Sequence, residues 1–119
     1  MGYDIEMVRG DTYSFHIEID GETQEPVAIT MTAKASPQRS AAPVFQLSLG
    51  EGITETDDGY DVRIPPSATE ELNSENYYYD VEFMYSLTDE DDVYTPIRGK
   101  LKLFPDTTTP EDRPTEEGA

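Results

Sequence analysis

The chain contains no cysteine, no tryptophan, one histidine (His16) and only 8 lysines and arginines, set against 26 acids. Without cysteine there is no disulfide scaffold, thiol nucleophile or thiolate zinc site. A single histidine excludes a metal centre built from several imidazoles and leaves little for Ser-His-Asp chemistry. The formal net charge of −18 lacks the basic face needed to bind free nucleic acid or an anionic membrane. No apolar run approaches the ~20 residues of a membrane-spanning helix. The opening Met1-Gly2-Tyr3-Asp4-Ile5-Glu6 has neither the basic nor the apolar region of a secretory signal, and Glu6 stands where myristoylation wants Ser or Thr. At 119 residues the chain is still long enough for one core without staples.

What is abundant is acid: 12 Asp and 14 Glu, with lysine only at positions 34, 100 and 102, and 13 threonines. Such an excess repels itself unless salt screens it, the Debye length being ~3 Å at 1 M against ~8 Å at 0.15 M. Two readings stand side by side: a high-salt, halophilic setting, or a solubility-driven surface with an acidic tail.

The dominant periodicity is two. Tyr13, Phe15, Ile17 and Ile19 alternate with Thr12, Ser14, His16 and Glu18, which predicts a half-buried strand closed by the turn Asp20-Gly21-Glu22. Val27, Ile29, Met31 and Ala33 mark another strand; Phe45, Leu47 and Leu49 a third; Tyr60, Val62 and Ile64 a fourth, after the turn Asp57-Asp58-Gly59. A short strand around Tyr3 to Val8 carries Ile5 and Met7 on one face.

The clearest hairpin comes late in the chain. Tyr77, Tyr79, Val81, Phe83, Tyr85 and Leu87 form one apolar face, and Ile97, Gly99, Leu101 and Leu103 its match. Pairing Leu87 with Val93 sets Phe83 opposite Ile97 and Tyr79 opposite Leu101. It also sets Glu82 opposite Arg98 and Asp80 opposite Lys100, where opposite charges contribute roughly 0.2–1 kcal/mol each. Pro96 predicts an edge or a bulge. Before this hairpin, Pro65-Pro66-Ser67-Ala68-Thr69-Glu70 predicts one or two helical turns, with Ser67 and Glu70 as a capping box.

These signals predict an all-β domain over residues 1–104: an immunoglobulin-like β-sandwich of about seven antiparallel strands with one short helical crossover. Tyr77-Tyr78-Tyr79 after that crossover occupies the position of a tyrosine corner. A small barrel is the alternative architecture. Residues 105–119 hold three prolines and five acids against one arginine, net −4, and read as an acidic Pro/Thr-rich disordered tail or extended arm. The remaining −14 belongs to the domain.

Several local patterns could carry chemistry. Arg9-Gly10-Asp11 spells an integrin-binding tripeptide, but reads as a turn in which Gly10 supplies backbone freedom. Asp89, Asp91 and Asp92, like Glu55 to Asp58, are weak calcium candidates without EF-hand spacing. His16 falls on the polar side of its strand, and Gly50-Glu51-Gly52 lacks the length and lysine of a phosphate loop. No residue is expected to be catalytic, and no cofactor or small-molecule substrate is expected. Tyr78 and Tyr94 lie on the outward face, where an aromatic ring can stack on a sugar or anchor a protein contact. With Pro105, Pro110 and Pro114 of the arm they form the set of interface candidates.

In order and spacing, Gly10-Asp11-Thr12-Tyr13-Ser14-Phe15, Pro26 to Lys34, Asp57-Asp58-Gly59, the Y-x-Y-D-V-x-F run from Tyr77 to Phe83 and the R-G-K-L-x-L run from Arg98 to Leu103 resemble a known pattern. It is that of the small Ig-like domains of tailed-virus (phage) structural proteins, among them the N-terminal domain of the baseplate upper proteins. The resemblance covers residues 5–104. It implies a non-enzymatic virion protein, made in the host cytoplasm, that assembles in many copies with other virion proteins on capsid, neck, tail or baseplate. The acidic composition adds a halophilic host as a hypothesis. The alternative function is a glycan- or receptor-binding module, assisted by calcium.

Overall fold

Alternating side chains along an extended backbone give each segment one apolar and one polar face, and the apolar faces must meet. A computed structural model of the chain describes residues 3–18, 26–85 and 93–112. It contains β1 (Ile5–Val8), β2 (Tyr13–Glu18), β3 (Ala28–Lys34), β4 (Pro43–Leu49), β5 (Gly52–Glu55), β6 (Gly59–Ile64), the one-turn helix α1 (Pro66–Thr69), β7 (Asn76–Met84), β8 (Val93–Phe104) and a 3-10 turn at Pro110–Asp112. The strands form one sheet in the order β1-β8-β7-β3-β4-β5-β6-β2. Its two edge strands, β1 and β2, are consecutive in the chain and separated only by residues 9–12, so the sheet curls until it is nearly barrel-shaped. The domain is all-β.

Two features depart from the expected seven antiparallel strands. β1 runs parallel to β8, and β4 parallel to β5. β5 is the eighth strand, reached through a turn in which Gly50 and Gly52 have φ of +93° and +101°. Its only large apolar side chain is Ile53, fully buried. One apolar residue makes no alternation, so the pattern hides this strand.

The core takes the inward residues of every strand. Ile29, Met31, Ile53, Val62, Val81, Phe83 and Leu101 are at most 1% exposed. Phe83 of β7 meets Tyr60 of β6 edge to face, ring centroids 5.7 Å apart, and so ties opposite sides of the curled sheet together.

The β7–β8 register corrects the expected one. Tyr77 pairs with Leu101, Tyr79 with Gly99 and Val81 with Ile97; past a bulge, Phe83 pairs with Tyr94 and Met84 with Val93. Before the bulge the ladder is therefore shifted by two residues. A shift of two leaves each side chain on its own face, because the side-chain period is two, so the core residues are unaffected. The charge pairs are not. Arg98 stands opposite Asp80 rather than Glu82, and Lys100 opposite Tyr78 rather than Asp80. Pro96, without an N–H to donate, sits in the bulge. Leu87, on which the expected register was anchored, lies outside the described residues, as does the turn Asp20-Gly21-Glu22.

The helix starts earlier than the capping-box spacing predicts. Pro65 is the N-cap and Pro66 the first helical residue; no side chain caps the turn, and Ser67 is exposed within it. A proline with φ already set for a helix starts it without a box. The turn's role lies in Thr69, which is fully buried and whose Oγ1 accepts the Gly10 N–H at 2.8 Å.

That bond holds the β1–β2 connection. Gly10 has φ +83°, a conformation a side chain would strain, and Asp11 N–H donates to Val8 O at 3.1 Å. Arg9 points back into the domain: Nε and Nη2 reach Asp106 Oδ1 at 3.0 and 2.9 Å, and Nη1 donates to Leu72 O at 3.0 Å. The Arg-Gly-Asp arginine is thus committed to structure. It fastens Asp106, the second residue of the acidic segment, to the domain.

Candidate functional site

Strand order places β3, β7 and β8 side by side, and their outward residues fall into rows. Lys100, Tyr78 and Lys34 share one row; Arg98, Asp80 and Thr32 share the next. Gln46 Nε2 of β4 extends the second row by donating to Thr32 Oγ1 at 3.0 Å. After β3, the segment holding Ser36, Pro37 and Arg39 walls one side, and Lys34 Nζ donates to Arg39 O at 3.1 Å.

The other wall is the start of the chain. Tyr3 N–H donates to Arg98 O at 3.0 Å, Tyr79 Oη donates to Tyr3 O, and Lys100 N–H donates to Asp4 Oδ1 at 2.9 Å. Gly99 permits this approach, since a Cβ there would lie 2.6 Å from Tyr3 O. Burial pushes the Tyr79 hydroxyl up to about 12, so it remains a donor under all ordinary conditions. Between the walls runs an open groove of about 680 Å³.

The groove's charge sets it apart. Lys34, Arg39, Arg98 and Lys100 line it, four of the chain's 8 basic residues, together with the acids Asp4, Asp80 and Glu82. The lining is therefore net +1 on a chain of −18. Among the described residues, neither Arg98 nor Lys100 makes an ion pair. Partial desolvation raises the Asp80 carboxyl above its ordinary value, and the nearby Lys34 charge opposes that rise. Such a surface can hold carboxylates against lysine and guanidinium groups and lay an extended or cyclic ligand over the Tyr78 ring.

The sequence-predicted site residues do not gather in one place. Tyr78 is half-buried on the groove floor rather than fully exposed. Tyr94 is 60% exposed at the far end of β8, next to Val93 in the strand; Val27, whose N–H donates to Met84 O, lies at the same end of the sheet on the other side of β7. Pro105 is exposed directly after β8, and Pro110 opens the 3-10 turn. Pro114 and the calcium candidates Asp89, Asp91 and Asp92 lie outside the described residues. Among the described residues no group of three or more His, Asp or Glu side chains is placed to hold a metal ion.

Two features escaped the sequence reading. Lys34 and Arg39 join Arg98 and Lys100 only through the strand order, which no local pattern announces. His16 is more than an exposed imidazole: Nδ1 lies 2.6 Å from Asp61 Oδ1 and Nε2 3.0 Å from Asp58 Oδ1. The hydrogen bond to Asp61, with further help from Asp58, raises its pKa above the ordinary 6.5. Both acids were visible, but their convergence on one ring depends on the β2–β6 register that pairs His16 with Asp61.

No family model matches the chain, and neither does any curated protein. Its class rests on its own geometry: an all-β domain that carries, among the described residues, a cationic, tyrosine-floored groove on an acid-rich chain.

Proposed function

We propose that the chain is a non-enzymatic structural module of a tailed-virus particle, an Ig-like β-sandwich that works through protein–protein assembly. On the fold side, three observations support the reading. β1 lies parallel to β8; β2, β6 and β5 follow one another at one end of the order, and β8, β7, β3 and β4 at the other. Tyr77, near the start of β7, donates its hydroxyl to Asn73 O at 2.8 Å, the hydrogen bond of a tyrosine corner. The motif order from Gly10 to Leu103 adds the resemblance to virion domains.

On the function side, one observation carries it. Val27, Val93 and Tyr94, between 39% and 60% exposed, all lie at the Met84 end of the sheet, exposed apolar side chains of the kind that a protein partner covers. Tyr94→Asp and deletion of residues 105–119 should each lower the amount of chain found in purified particles by quantitative mass spectrometry. Unchanged incorporation in both overturns the reading. A second reading, a glycan-binding module, is favoured by Tyr78 between Lys34 and Lys100. A glycan screen with Tyr78→Ala as control tests it.

A further inference from the structure

All three lysines of the chain stand on the outward face of β3 and β8: Lys34 and Lys100 in the groove, and Lys102 next along β8, over the Phe104 ring at 5.1 Å. Two copies of a chain carrying −18 repel each other nearly everywhere. A contact between copies must set acid against base, and this face is where the bases gather. The complementary segment belongs to the same chain: residues 107–119 carry Glu111, Asp112, Glu116 and Glu117 against Arg113. Pro110 and Pro114 restrict its backbone, which lowers the entropy lost on docking. Its root is fixed by the Arg9–Asp106 ion pair, and residues 107–112 make no hydrogen bond or ion pair with a groove residue.

We propose that the groove between β3, β7 and β8 receives the acidic C-terminal segment, residues 107–119, of a second copy of this chain. The proposal rests on the assembly reading and names its first partner. Lys34, Arg98 and Lys100 pair with the segment's carboxylates, and Tyr78 packs against its backbone and prolines. Exchange of segments between two copies makes a closed, symmetric contact.

Charge exchange on the full-length chain, followed by sedimentation velocity at low salt, tests this. The wild-type chain should self-associate. K34E/K100E and E116K/E117K should each weaken association about tenfold or more. A mixture of the two should restore it, because the reversed groove meets the reversed segment. The arm variant alters no residue of the sheet, so its result stands even if the groove variant folds poorly. A wild-type chain that stays monomeric, its segment lying on its own groove included, overturns the proposal. So does association that survives both variants, or an anionic oligosaccharide that takes the groove without any self-association. A monomeric chain still incorporated into particles would overturn the exchange and leave the assembly reading standing.

Discussion

The outward face of β3, β7 and β8 and that of β2 and β6 belong to one sheet and share one core, yet they handle charge in opposite ways. On β2 and β6 the imidazole of His16 is bracketed by Asp58 and Asp61, so a potential cation is satisfied within the face. On β3, β7 and β8 the cations stand in rows with tyrosine, threonine and a partly desolvated aspartate, and Arg98 and Lys100 lack ion partners among the described residues. The first arrangement is self-contained. The second leaves attraction for something outside the domain, and this is why the groove rather than the His16 cluster is the candidate site.

Both faces hang on one core, and the largest predicted effect tests that. Phe83→Ala removes a side chain that is 1% exposed and spans to Tyr60, and should cost about 3–5 kcal/mol in denaturant unfolding. A loss below ~1 kcal/mol would mean that the two sides are not packed together. Thr69→Val comes next. It leaves the Gly10 N–H buried without an acceptor at the turn joining β1 to β2, at a cost of about 1–3 kcal/mol. Tyr77→Phe deletes the hydroxyl bond to Asn73 O and should cost about 1 kcal/mol, with the fold unchanged by circular dichroism.

The smallest effect isolates the acidic face. His16 gains stability from its charged form, so its contribution is fully present below pH 6.5, the unfolded value, and fades as pH rises through the raised folded value. His16→Gln should flatten that part of the stability–pH profile and leave the groove's behaviour untouched. A variant profile that still falls over the same window would assign the dependence to other groups.

Much of this fold is legible because apolar alternation is a local signal. β2, β3, β6, β7 and β8 each show several alternating apolar residues, and all become strands. β5 was hidden because Ile53 stands alone between glycine and acids. The hairpin register was missed for a related reason: a slip of two preserves both faces, and charge pairing favoured the wrong ladder, with two opposite-charge pairs against the one observed. The helix was placed correctly in outline, but its start followed Pro66 rather than Ser67. Site residues divide the same way. The basic stripe Arg98, Lys100, Lys102 is visible along one strand. Lys34 becomes its neighbour only when β7 is inserted between β3 and β8, and Arg9 finds Asp106 across 97 positions of sequence. Those pairings are properties of topology, which period-two patterns do not encode.

The protein uses charge in two ways: an acid-rich domain that salt should stabilise, and a cationic groove whose contacts salt should weaken. One series measures both, with melting temperature and sedimentation-derived mass followed on the same samples from about 0.1 to about 1 M KCl. Melting temperature should rise while the associated species dissociates. Association that is indifferent to salt or strengthened by it would contradict the charge-driven groove.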